Sequence, residues 1–147
     1  MKPVQKDLEK AISKAKKYEK AQEVAEKIMN VTTEGDLPAD KIWAGWERAL
    51  LTALVLHCAL SPNGELSLDR IYKLVTEPDA PKTIRDALER PEEKEALQRF
   101  EIALGLNPEA PPTKKLQTLS ANRWTGTITG VATRMTRLRP QKAGASR

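Results

Sequence analysis

The run ALLTALVLHCAL at residues 49–60 constrains this chain more than any other stretch. Only Thr52 and His57 interrupt it, so a helix built from it has no polar face and needs neighbours all round. Twelve residues are too few to cross a bilayer, which takes about 20. The neighbours must then be other helices of the chain. Just upstream, Trp43 and Trp46 share one side with Leu50, Leu54 and His57 at 100° per residue. Asp40 stands where an N-cap would start the helix, and the Pro-Asn-Gly turn in SPNGE (61–65) stops it.

The remaining segments supply those neighbours. Over residues 4–29, Leu8, Ala11, Ile12, Ala15, Tyr18, Ala25 and Ile28 trace one helical stripe, with Lys and Glu on the other faces. Ser67 is placed to cap a shorter helix whose inward face is Leu68, Ile71, Tyr72, Leu74 and Val75. Pro78 and Pro81 bracket a turn before Ile84, Ala87 and Leu88. Pro91 fits the first position of a helix carrying Leu97, Phe100, Ala103 and Leu104, with Glu92 and Glu93 in its first turn. Aromatics are only 4% of the chain and charged residues 31%, which favours helices over sheet. The expectation is an all-α fold: a compact orthogonal bundle of five to seven helices around the central apolar helix. Residues 1–30 form a basic amphipathic helix, 31–140 the all-α domain and 141–147 a basic tail.

The last helix sets two local rules against each other. WTGTITGVAT (124–133) has the Thr, Ile, Val and Gly content of a strand or loop. Yet Trp124, Ile128, Val131, Met135 and Leu138 step by four and three, a helical stripe, and periodicity takes precedence. Arg123, Arg134 and Arg137 then line one flank of that stripe and Thr125, Thr129, Thr133 and Thr136 the other. Gly126 and Gly130 stand beside the arginines, where a backbone or a phosphate has room to approach.

The charge is segregated. Residues 1–30 hold eight Lys against five acids, residues 31–112 nine basic against fifteen acidic, and residues 113–147 eight basic and no acid. The acid-free stretch makes Lys114, Lys115, Arg123, Arg134, Arg137 and Arg139 candidate contacts for an acidic partner. Arginine suits phosphate because its planar fork donates two bonds to one group. The bland alternative is a solvated basic face. For Lys14, Lys16, Lys17 and Lys20 the solvated reading is favoured, because Glu19 and Glu23 lie at pairing distance along a helix.

Catalytic constellations are missing from the sequence. There is no Gly-x-x-x-x-Gly-Lys-Ser/Thr loop and no Gly-x-Gly-x-x-Gly fingerprint. One His and one Cys cannot make a zinc site of the usual composition. His57 and Cys58 are neighbours that point about 100° apart on a helix, so they are no dyad. His57 reads as a core histidine, and Glu92, Glu93 and Glu95 as a solvated run. Trp43, Trp46 and Trp124 read as core; Trp124, beside Arg123, is the one candidate for a base-stacking platform. No enzyme activity, cofactor or metal is expected. A lone cysteine and a start without an apolar leader predict a cytoplasmic protein with no membrane contact.

The central block, IWAGWERALLTALVLHCAL followed by GELSLDRIYKLV, resembles the all-α domain of type IV secretion coupling proteins, the TraG/TraD-like conjugation ATPases. The likeness rests on Trp43 and the core Ala49, Leu50, Leu51, Thr52, Ala53 and Leu54. It continues through Ser67, Leu68, Ile71, Leu74 and Val75, then into the closing ANRWTGTITGVATRMTRL, and spans about residues 24–138. The resemblance implies a helical domain inserted in a RecA-like motor, with its two ends close together and the nucleotide site elsewhere. It implies a non-catalytic role in substrate recognition, with single-stranded or non-specific DNA, the relaxase and accessory proteins, and the rest of the coupling ATPase as partners. Residues 1–30 fall largely outside the pattern and are read as a possible linker to the motor. Two other readings stand beside it. One is an adaptor that docks a basic protein through the acidic middle, Glu92, Glu93 and Glu95 included. The other is an unrelated, free-standing helical DNA-binding protein.

Overall fold

The computed structural model describes residues 3–33, 43–103 and 114–138, with the backbone alone at 103 and 114–121. These residues form α1 (Pro3–Lys14), α2 (Tyr18–Val31), α3 (Ala44–Leu60), α4 (Ser67–Thr76), α5 (Ala80–Ala87), α6 (Lys94–Ala103) and α7 (Lys114–Leu138), and no strand among them. The fold is all-α. Asp40, Leu104 and Arg139, each named above, lie outside the described residues.

α3 is the hub the apolar run demands. It packs against α1, α2, α4, α6 and α7, and Leu50, Leu51, Ala53, Leu54 and Val55 keep no exposed surface. No helix among the described residues is long and apolar enough to cross a membrane.

The stripe expected over residues 4–29 is not one helix but two. α1 ends at Lys14, Lys17 is extended, and α2 starts at Tyr18. No proline or glycine forces the break. A straight helix of that length would carry one half of its stripe past the end of α3. Broken at 15–17, both halves lie on α3, and packing overrides helix propensity. Leu8, Ile12, Val24, Ile28 and Met29 all join the central core cluster. Each buried side chain of this size contributes roughly 1.5–3 kcal/mol, and the five together rival the 5–15 kcal/mol net stability typical of a domain. Residues 3–31 are therefore part of the packed body rather than a helix standing off it.

Two further starts differ from expectation. Ser67 does not cap α4. Its own N–H and that of Leu68 donate to the Glu9 carboxylate of α1, at 2.7 and 2.8 Å. An acid from another helix thus satisfies the first turn of α4, where the dipole favours negative charge. α6 begins at Lys94 rather than Pro91, because residues 91–93 form a turn that carries Glu93 into the interior.

α7 is helical through the disputed Thr- and Gly-rich stretch. Trp124, Ile128, Val131, Met135 and Leu138 are all buried. The threonines tolerate the helix by returning their hydroxyls to it: Thr129 donates to the Thr125 carbonyl, Thr133 to Thr129 and Thr136 to Ala132. The last turn of α7 meets the first turn of α1, where the Gln5 side-chain amide donates to the Leu138 carbonyl.

Candidate nucleic-acid interface

The arginine flank of α7 does not present one surface. Arg134 is 2% exposed and its Nε donates to Glu47 Oε1 at 2.6 Å, with Glu47 itself 4% exposed. Its Nη1 reaches the Thr32 carbonyl and hydroxyl at 3.3 and 3.2 Å. Arg137, one turn on and exposed, donates to the same Thr32 carbonyl at 2.5 Å. Arg123 is half-buried, its guanidinium 5.4 Å from the centre of the Trp46 ring. Arg134 is therefore a core cation that ties α7 to the start of α3 and the end of α2. Burying a charge is tolerable only when it is paired and hydrogen-bonded.

The two glycines serve the same junction. A Cβ on Gly126 would lie 2.6 Å from the Trp43 ring, and one on Gly130 would lie 2.6 Å from Glu47 Oε2. Trp43 and Glu47 are one turn apart at the start of α3, and the glycines are one turn apart on α7. The space they leave is filled from within the fold rather than held open for a phosphate. Trp124 is likewise no stacking platform. It is 3% exposed, edge-on to Phe100 at 4.7 Å, with the Arg85 guanidinium 4.8 Å from its ring centre. Lys114 and Lys115 open the backbone of α7.

Among the described residues, a free basic surface lies on α1 and the α1–α2 break. Lys6, Lys10 and Lys14 repeat every four residues along one face of α1, and Lys16 and Lys17 follow; all five are exposed. None of them forms an ion pair among the described residues. Lys20 does pair, with Glu23 at 3.4 Å, so the expected neutralisation holds for that lysine and not for Lys14, Lys16 or Lys17. α1 has two acids, Asp7 and Glu9, and Glu9 is turned away onto the first turn of α4. That leaves Asp7 to temper the stripe. Through the Gln5–Leu138 contact, the stripe begins beside the last turn of α7.

A second buried polar cluster lies on the opposite end of α3. Glu93, expected on a solvated run, has no exposed surface and its Oε1 is 2.5 Å from His57 Nδ1. Arg70 Nη2 is 2.9 Å from His57 Nε2. Burial holds His57 below the ordinary imidazole range; Glu93 pulls upward against it, and Arg70 and Arg90 push the same way as burial. Burial also pushes the Cys58 thiol up to about 12, so it is no nucleophile at neutral pH. Among the described residues no group of three His, Cys, Asp or Glu is placed to hold a metal ion.

Three acids that organise the fold thus escaped the residue-by-residue reading, and for two of them a signal existed. Glu47 falls within the stripe of Trp43, Leu50 and Leu54, and Glu93 in line with Ala96, Leu97 and Phe100. An acid in an apolar stripe requires a buried partner. Glu9 carried no such mark. Comparison with family models, with curated proteins and with solved structures finds no match for the chain.

Proposed function

We propose that this chain is a non-catalytic recognition domain that grips the sugar–phosphate backbone of DNA, single-stranded or without sequence preference. The grip is the lysine stripe Lys6, Lys10, Lys14, Lys16 and Lys17. One observation carries this reading: Lys6, Lys10, Lys14, Lys16 and Lys17 are exposed together on α1 and the α1–α2 break, and none of them has an ion-pair partner among the described residues. Lysine offers a point charge on a flexible stem, suited to following a backbone rather than reading bases.

The resemblance to coupling-protein all-α domains supplies a setting. A domain inserted into a motor needs its two ends near one another, and Gln5 near the start of α1 bonds Leu138 at the end of α7. In that setting the rest of the ATPase and the relaxase–DNA complex are the partners. Arg134, expected from the sequence to meet the ligand, is committed to Glu47, and in this proposal the lysines take that role.

The test is a titration of a fluorescent single-stranded oligonucleotide at low salt. Changing Lys10, Lys14 and Lys17 to Gln is expected to weaken binding at least about tenfold, since each lost phosphate contact removes counterion release. Arg123→Gln is expected to weaken it by less than about threefold. Equal binding by wild type and the lysine variant would refute the reading.

A further inference from the structure

His57 lies at the end of α3 between two partners that ask opposite things of it. An arginine can only donate, so His57 Nε2 must offer Arg70 its lone pair, and the ring proton is on Nδ1, donated to Glu93 Oε1. The ring is neutral in this arrangement. A proton added at Nε2 would set two donors face to face across 2.9 Å, while on the other side it would turn a hydrogen bond to Glu93 into a full ion pair. Arg70 belongs to α4 and Glu93 precedes α6, so one proton weakens the hold on one helix and strengthens it on the other.

We propose that Glu93, His57 and Arg70 form a proton-operated latch on α4: the neutral ring retains Arg70, and the protonated ring releases it while holding Glu93 more tightly.

The surroundings permit that movement. Arg70 also donates to the Ser61 carbonyl and lines an open cavity of about 360 Å³ with Glu9, Lys16, Asn63 and Glu65. Glu65, which also holds Lys73 at 3.0 Å, offers the cavity a carboxylate toward which the guanidinium can turn when it leaves the ring. The charged groups that face the ring are Glu93 and Arg90 from the α5–α6 connection and Arg70 from α4. Arg90 is 3.9 Å from the second oxygen of Glu93 and also bonds the Ser61 hydroxyl, so it links the α5–α6 connection to the end of α3. From α1, Glu9 is held on the start of α4 and reaches the neighbouring Cys58 rather than the ring. The buried side of α2 is apolar, and the buried cation of α7, Arg134, pairs ten residues back along α3 at Glu47, about 15 Å away at 1.5 Å per residue. The sign follows from a ring held below 6.5: the latch is closed above that value and opens as pH falls through the lower value of the folded protein.

Hydrogen exchange of the full chain, corrected for intrinsic exchange chemistry, tests this at pH 7.5 and at a lower pH where the NMR shifts of the His57 ring show it protonated. Protection of α4 (Ser67–Thr76) is expected to fall about tenfold at the lower pH, the weight of one hydrogen bond to a charged group, with α6 (Lys94–Ala103) unchanged. In Arg70→Met, α4 should be weakly protected at both pH values. Loss of protection in α4 and α6 together, no change in α4, or a pH response retained in Arg70→Met would each overturn the latch.

Discussion

Arg134 and Glu47 are each a charge that the interior tolerates only because of the other. Removing one partner strands the second, and stranded buried charges cost about 3–5 kcal/mol. Arg134→Met is therefore expected to lower the urea midpoint by that equivalent, and the double change Glu47→Leu with Arg134→Met to recover most of it. A single change that costs under about 1 kcal/mol would mean the pair is solvated. Cys58 gives an independent check on the same helix. With its thiol pushed from 9.0 to about 12, folded protein holds roughly a thousandfold less thiolate at neutral pH than the unfolded chain. Thiol-reactive dyes should modify it only as fast as the protein opens, and modification at the rate of a free thiol would contradict its burial. At this scale the sequence was half legible. Leu50, Leu54, Ile128 and Met135 are where periodicity put them, buried. The polar residues were harder, because charge alone says "surface", and only the position of Glu47 within an apolar stripe argues otherwise. Arg134 reads as one of three equivalent arginines until the helix that pairs with it is known.

Among the elements, α7 is the clearest case of periodicity prevailing over propensity. Its threonines satisfy their hydroxyls on the preceding turn, and its glycines, costly in a helix by about 1 kcal/mol each against alanine, are retained for contact. Gly130→Ala would ordinarily stabilise a helix by that amount. Here the new methyl meets a carboxylate pinned by Arg134, so destabilisation of roughly 1–3 kcal/mol is expected. Gly126→Ala should cost less, since the Trp43 ring it meets is partly exposed and can shift. Thermal melts of the two variants check both size and order; a more stable Gly130→Ala would show that α7 does not seat closely on α3. The break between α1 and α2 was not legible, because nothing local marks it: the stripe runs on through Ala15 and Tyr18. It follows from where α3 ends, which is a property of the assembled bundle. The same holds for the start of α4, whose cap lies 58 residues away in sequence.

At the scale of the molecule, the segregated charge gains a geometry. Folding turns Glu9 inward, seals Arg134 against Glu47 and Glu93 against His57, and leaves the lysines of α1 outside beside the end of α7. The sequence located positive charge at both ends; only the fold separates the cations that hold helices together from those that face solvent. Salt dependence measures that division directly, because it counts the phosphates neutralised. On a single strand each contributes about −0.7 to the slope of log affinity against log salt. If Lys6, Lys10, Lys14, Lys16 and Lys17 each engage a phosphate, the stripe accounts for about −3.5 of that slope. Changing Lys10, Lys14 and Lys17 to Gln should then flatten it by about 2. The measurement to make is therefore the affinity for a labelled single strand across a salt series, for wild type and this variant side by side. A flatter slope in the variant is the result expected here, and two parallel lines, or no binding at the lowest salt, would contradict the lysine grip.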